Sequence, residues 1–486
     1  MSSQISSSQY TTSNQSIRNL HVKINLLDFN FLNVNNIEGL SIDGSISIDA
    51  NSDMRRTGNI TFVVTDSSFN IQKGGQIWLD KYVQIEVGID DIRTKEIAWS
   101  NLGIFLINQP SYSYDAVTKQ MSFQCVDLMA KMTGARNGYI TGIGSEGFVL
   151  IPTGSNVREA IVDIVTKCGF TKYYVSECMN EDGTIQPVPY DMQFEQGATW
   201  YQILKELRDI LPNYQIYFDI DGVFRYEKIP SGENDPVMIT DDLWVNNVIQ
   251  ESLNVNFEEV KNVVEVWGRV HETEHFSDET ATTITTVTNG SVIHPTWSGI
   301  SEFEDYMIVA LSLPSAIVNV NEIYIDYLSE TLIVKDFSDN NITDLPAQEY
   351  LTFTYDPSGH WIYLGKAQAY GIWKDENPDS PFYIGSTIGE IPIVLSSGDY
   401  ENIVSDDLAL ERAKYEIYRR CRLNDTITLT TVPIHWADVN WKVSYTPLSG
   451  ERTTNEYMVQ SISIPFNISG TQTWNLSRFY PFYPII

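Results

Sequence analysis

The 486-residue chain is too long for one hydrophobic core, and its hydrophobic share of 42% with an aromatic share of 12% predicts two to four domains rich in strands. Sixty-three acidic residues against 31 basic leave a formal charge of −32, which repels a phosphate backbone and argues against specific nucleic-acid binding. The same charge suits a channel wall along which DNA slides without sticking, and it equally suits plain solubility. Cys125, Cys168, Cys178 and Cys421 form no CxxC pair, so reduced thiols are expected rather than a disulfide scaffold or a zinc ribbon. No window approaches the ~18 apolar residues of a membrane span.

In chain order, residues 1–18 are mostly Ser, Gln, Thr and Asn and predict a flexible or partner-ordered arm, with no apolar stretch of the kind a signal peptide carries. From Leu20 to Gly134 consecutive strands are expected. Leu40-Ser-Ile-Asp-Gly-Ser-Ile-Ser-Ile-Asp49 alternates cleanly, and His21–Leu27 does so imperfectly. Further strands are expected over residues 59–65, 82–89, 103–108 and 120–125, separated by turn signals at Lys73-Gly74-Gly75, Asp90-Asp91 and Gln109-Pro110. Val126–Met132 closes this barrel or sandwich with a helical turn or two.

The period then changes. Ser155–Cys168 reads as an amphipathic helix with Val157, Ile161, Ile164 and Val165 on one face, capped by Ser155 or Asn156 and stopped at Gly169. A second helix over Thr199–Ile210, with Ile203, Leu207 and Ile210 on one side, ends before Pro212, and a hairpin turns at Asp221-Gly222. Strands return at Ile249–Asn256 and Asn262–Val270, and a Thr-, Asp-, Asn- and aromatic-rich β-insertion follows to about Tyr400. Ser405–Cys421 is a strong helix, with Asp406 and Asp407 at its start and Arg419, Arg420 and Arg422 at its end to suit the helix dipole. Strands over residues 426–432, 441–446, 456–465 and 470–476 complete a second barrel-like unit. The aromatic, proline-stiffened stretch from Arg478 to Ile486 is expected to dock on its own barrel or on a neighbour.

The fold class is therefore mainly β (α+β): a flexible arm over residues 1–19, a first β-barrel over 20–135, and a small α/β domain over 136–241. A second barrel over 242–270 and 424–486 is interrupted by a β-rich insertion (271–400) and a helix (401–423).

One match to a catalytic signature is present. His271-Glu272-Thr273-Glu274-His275 fits HExxH, in which two histidines on adjacent helical turns hold zinc and the glutamate acts as base. Here it lies between a strand and the β-prone stretch Ser277–Thr286, and Asp278 and Ala281 stand where the extended signature needs Gly and His. His294 would be the third ligand, and coincidence is the expectation. The acidic loops Asp219–Gly222 and Asp375–Asp379 lack the closing Glu of a calcium loop and read as solvated turns. No catalytic residue, cofactor or metal is assigned.

The order of parts carries a resemblance. Ser41–Asp49 followed by Met54–Phe62, the helix near Ser155, Gly197-Ala-Thr-Trp-Tyr201, Phe218–Phe224, Trp373–Ile384, Ile388-Gly-Glu390 and the helix with Ala409 and Ala413 together resemble the baseplate hub proteins of contractile-tailed phages, in their Gram-positive phage form. The resemblance implies a structural, non-enzymatic virion protein assembled in the host cytoplasm. It implies two tube-type barrels per chain and a homotrimer that joins a sixfold tail tube to a threefold central spike and lines part of the DNA channel. Implied partners are the tail tube or tube initiator, the spike, the tape measure protein and other baseplate proteins. The alternative is a tail-associated cell-wall hydrolase or glycan-binding module, with Trp297, Tyr306, Trp361 and Trp373 of the insertion stacking on sugars.

Overall fold

A computed structural model describes residues 5–480 apart from 39–41, 65–69, 115–116, 142–147, 181–182, 190, 212, 231, 233–234, 272, 274, 348–349, 450–451 and 468. The fold is mainly β. Among the described residues its largest element is a continuous 13-stranded sheet. Ten of these strands are needed below: β1 (Ile42–Asp49), β2 (Arg56–Val63), β3 (Tyr82–Asp90), β4 (Ile97–Tyr114), β5 (Lys119–Asp127), β6 (Val248–Asn256), β7 (Asn424–Thr431), β8 (Lys442–Tyr445), β9 (Asn455–Pro465) and β10 (Gln472–Arg478).

The ten fall into two units of the same design. Across the sheet the first unit reads β1-β2-β5-β4-β3 and the second β6-β7-β10-β9-β8. The registers also correspond. Gly58 of β2 lies opposite Ile46 on one side and Cys125 on the other, as Ile427 of β7 lies between Leu253 and Leu476. Ile107 pairs with that Cys125, as Val459 pairs with Leu476. Both long strands then carry a bulge, between Asn108 and Ser111 in β4 and between Val459 and Ser461 in β9, after which Ser111↔Ser122 matches Ser463↔Thr473. A bulge adds twist where a strand leaves one neighbour for another. In the first unit β3 is extended by Leu20–Leu27 and Asn33–Glu38, and in the second β8 is extended by the parallel strand Val237–Ile239.

The two units are joined edge to edge by β9 against β1, and a single hydrophobic cluster from Ile24 to Leu476 runs beneath both. Separate barrels were the expectation from sequence. The continuous sheet forms because β1 is apolar on its inner face alone and β9 supplies the matching Ile462 and Ile464.

Other expectations are corrected. β4 does not stop at Gln109-Pro110: Gln109 takes φ +46° in the bulge and the strand continues to Tyr114, with the proline at an edge where one missing donor is tolerated. Val263–Val270 does not join the second barrel. It pairs with Gln368–Lys374 and Pro392–Leu395 in a separate three-stranded sheet beneath the helix Asp406–Arg420. That helix sits close because position 371 has no Cβ: one there would lie 2.3 Å from the Ala409 carbonyl carbon. Val237–Ile239 and the short helix Asp241–Val245 leave the α/β region, and Trp244 packs edge-on to Trp474 in the second barrel.

The N-terminal arm is ordered where it is described. Ser7–Thr12 is a helix with a Ser6/Gln9 capping box. It is held because Trp436 Nε1 donates to Ser13 Oγ (2.8 Å) and Arg18 Nη1 donates to the Pro433 carbonyl (2.6 Å). Polar composition signals little to bury, but these side chains find hydrogen-bonding partners on the barrel instead.

The α/β region packs the helices Val157–Lys167 and Trp200–Asp209 with the sheet Tyr214–Phe218, Phe224–Lys228 and Tyr173–Val175. The inserted sheet spans His275 to Lys366 and has eight strands. Its core is built from Trp297, Trp361 and Phe353. Among the described residues, no helix is long and apolar enough to cross a membrane.

Candidate functional site

The joint between the two units is the feature with the most structure behind it. Ile46 and Ile48 of β1 face Ile464 and Ile462 of β9, and all four are 2% exposed or less. Ser47 and Ser463 lie opposite each other on the outer face and are exposed. The strand register thus places one apolar and one polar row on the two faces of the joint.

A buried polar network fixes the joint from one side. Arg55 and Arg56 leave the start of β2 into the space between the first unit, the second unit and the α/β region, and are 5% and 2% exposed. Arg56 Nη1 donates to the Phe218 carbonyl (2.7 Å) and its Nη2 pairs with Asp438. Arg55 Nη2 donates to Gln215 Oε1 (2.6 Å) and its guanidinium lies 3.7 Å from the centroid of the Tyr217 ring. Asn440 donates to the same Gln215 oxygen (2.5 Å). Burial pushes the Arg55 pKa down, and burial pushes the Asp127 carboxyl up although Met129 N–H and the two guanidiniums oppose it. Three regions distant in sequence meet at these groups.

A cleft of about 510 Å³ opens beside this network, lined by Arg55, Arg208, Arg412, Arg419, Arg422 and Arg478. Glu416 neutralises part of it. Burial alone would raise its pKa, but Arg412, Arg419 and Arg420 outweigh burial and hold it below the ordinary carboxylate range. Phe479 is buried, and the Tyr480 carbonyl accepts from Tyr418 Oη (2.7 Å), so the start of the C-terminal stretch docks within its own chain, against the Asp406–Arg420 helix; residues 481–486 lie outside the described residues.

The HExxH match does not form its helix. His271 follows Val263–Val270 and His275 opens the strand His275–Ser277, while Glu272 and Glu274 lie outside the described residues. Both nitrogens of the buried His271 ring are engaged, Nδ1 with Thr352 Oγ1 (2.7 Å) and Nε2 with the Val404 carbonyl (2.6 Å). His275 Nδ1 meets the Ser298 carbonyl (3.0 Å), and His294 sits between Asp326 (2.8 Å) and Thr285 (2.9 Å). The three histidines serve separate local contacts.

Asp219 closes its turn by accepting from Asp221 N, Val223 N and Arg225 Nε. Asp375 is buried and accepts from Asn377 N, Ser380 and Cys421. Two of the aromatic residues proposed to stack on sugars are core instead: Trp297 and Trp361 are 1% and 0% exposed and pack on each other, on Tyr327 and on Phe303. Trp373 packs under Lys414 on the Asp406–Arg420 helix, and it and Tyr306 remain partly open.

Sequence reasoning missed the Arg55/Arg56 network. Two adjacent arginines at a strand start carry no local mark of burial.

Residues 379–483 match a family model described as a domain of unknown function (DUF5048). No curated protein matches the chain. The fold is similar to the 43 kDa tail protein of prophage MuSo2 from Shewanella oneidensis, at TM-score 0.50 and 12% identity over 95% of this chain and 98% of that one. It is also similar to a tail protein from Neisseria meningitidis, at TM-score 0.50 and 10% identity, with the same coverage of 95% and 98%. A prophage tail protein, gp18 from Listeria monocytogenes, aligns at TM-score 0.42 and 10% identity over 94% of each chain.

Proposed function

We propose that the chain is a structural ring protein of a phage-type tail tip: a homotrimeric hub that presents six similar barrels to a sixfold tail tube and a threefold surface to a central spike. The observation that carries this is the internal duplication, in which two units of one strand order and register are joined edge to edge. Three such chains in a closed ring supply six near-equivalent units, which is the symmetry match a tube-to-spike adaptor needs.

The overall fold likeness to a prophage tail protein and a second tail protein, end to end in both chains, supports the same reading. The −32 charge suits a lumen that passes the tape measure and then DNA without retaining either. The partners are the tail tube or its initiator, the spike, the tape measure protein and neighbouring baseplate proteins. The role is non-enzymatic and the location is the virion tail, after assembly in the host cytoplasm.

Light scattering across a concentration series tests this reading. A mass of three times 55.2 kDa is expected. A single copy at every concentration would overturn it, as would digestion of purified cell walls by the chain.

A further inference from the structure

The duplication makes a prediction about edges. Within one chain, β9 of the second unit pairs with β1 of the first. The counterpart of β9 is β4, and the counterpart of β1 is β6. Among the described residues, the far half of β4 (Ser111–Tyr114) pairs only with β5, and β6 pairs only with β7. Each copy therefore carries both halves of a second joint of the same kind, unmade and at opposite ends of the duplicated sheet.

We infer that copies of this chain associate head to tail by pairing the far half of β4 in one copy, antiparallel, with β6 of the next. This rests on the ring reading above and deepens it by naming the strands and their register. The matched pairs of the two units shift positions by 207 residues from β1 to β6 and by 352 from β4 to β9, as Ile46 to Leu253 and Ile107 to Val459 show. Transferring Ser463↔Ser47 and Ile464↔Ile46 by those shifts sets Ser111 opposite Asn254 and Tyr112 opposite Leu253, with Val255 beside the bulge at Pro110.

Side-chain exposure supports this register independently. At the joint that is made, Ile46, Ile48, Ile462 and Ile464 are at most 2% exposed. At the corresponding open positions, Leu253 and Val255 are each 37% exposed and Tyr112 is 39% exposed. Leu253 and Val255 stand on the inward row as the four isoleucines do, and the Tyr112 ring, whose Oη accepts from Ile71 N (3.0 Å), stays partly open on the same row. The outward positions are polar in both: Ser47 and Ser463 where the joint is made, Asn254 and Ser111 where it is open. An uncovered strand edge with apolar side chains is a template for another strand, and here the chain carries the fitting strand itself. Because the two edges differ, the contact is heterologous and repeats in one direction until the ring closes.

Cysteine pairing tests the register. Residues directly opposite in an antiparallel pair have Cα atoms about 4.5–5.5 Å apart, within disulfide reach. The double variant Ser111→Cys/Asn254→Cys, mildly oxidised, is expected to give covalent two- and three-copy species on a non-reducing gel. Neither single variant should give them, and a reducing thiol should dissolve them. Leu253→Asp, at a position already exposed in one copy, is expected to keep a single cooperative thermal transition and to shift the mass to a single copy. A wild-type chain of three copies that yields no cross-link, or a Leu253→Asp chain that remains a ring, would overturn this joint and leave the ring intact. A wild-type chain that is a single copy throughout would overturn the ring itself.

Discussion

The two units share strand order, register and a bulge in the same strand, yet they differ in what each does with its first strand. In the first unit β1 is followed directly by β2 and is covered by β9. In the second, β6 and β7 are separated in sequence by the eight-stranded insertion and the Asp406–Arg420 helix, and the far edge of β6 is open. The inner-row positions Ile46 and Leu253 are thus one position in two situations, buried in one unit and exposed in the other. Burial here belongs to the neighbour a strand has found. Position 56 shows the same divergence in charge, since Arg56 of β2 corresponds in register to Asp425 of β7. Only the first unit sends an arginine into the meeting point of three regions.

Removing that arginine should break the comparison most severely. Arg56→Ala leaves Asp438 and the Phe218 carbonyl without a buried donor, and breaking one side of a buried pair costs about 3–5 kcal/mol. Since Asp438 keeps 21% of its side chain in solvent, the lower end is expected, read as a drop in the denaturant midpoint. Adding Asp438→Ala should recover part of the loss, because the carboxylate left behind is then gone too. Additive losses would show that the pair is not coupled.

The next contrast compares the inner row directly. Ile46→Ala removes a fully buried side chain and should cost about 2–4 kcal/mol in a single copy. Leu253→Ala, at the matching position on the open edge, should cost no more than about 0.5 kcal/mol there. It should instead weaken association, so the two variants should separate cleanly when stability and mass are measured on the same samples. Equal destabilisation of a single copy would mean that β6 is covered within its own chain.

The local elements were legible in sequence, and the long-range ones were not. Val157, Ile161, Ile164 and Val165 are the buried face of their helix, Asn156 caps it, and Thr199 and Ser405 cap the next two long helices. These depend on spacing and on cap chemistry within a few residues. Val263–Val270 reads as well for one sheet as for another, and only the glycine at 371, beneath Ala409, reveals which neighbour it has. The β9–β1 pairing spans about 400 residues and depends on matched inner rows that any two amphipathic strands offer. At the open joint, Leu253 and Val255 alternate as a half-buried strand does, so sequence alone gives no sign that they are exposed. The strand extension past Gln109-Pro110 was hidden for a related reason: a bulge and a turn use the same residues.

Effects that appear only as pH changes belong to the helix that only the second unit interrupts itself to accommodate, and they run in opposite directions along it. At its start, burial pushes the Asp406 carboxyl up to about 6, even though Tyr370 N and Lys366 N donate to it. Its folded pKa lies above the unfolded value of about 3.9, so its contribution to stability is fully present below that value and is lost as pH rises through about 6. Toward the other end, Glu416 is held below its ordinary range by three arginines against the effect of burial. Its contribution is present above the unfolded pKa and is lost as pH falls through the depressed one. Asp406→Asn should therefore raise stability relative to wild type at pH 8, on the order of 2 kcal/mol after allowance for its partial solvation, and lose that advantage by about pH 4. Glu416→Gln should lower stability at pH 8 and converge on wild type in acid. Denaturation midpoints of the three proteins from pH 8 to pH 3 read both signs at once. If both differences shrink in the same direction, the two carboxylates do not feel the opposite environments that burial at one end and three guanidiniums at the other impose.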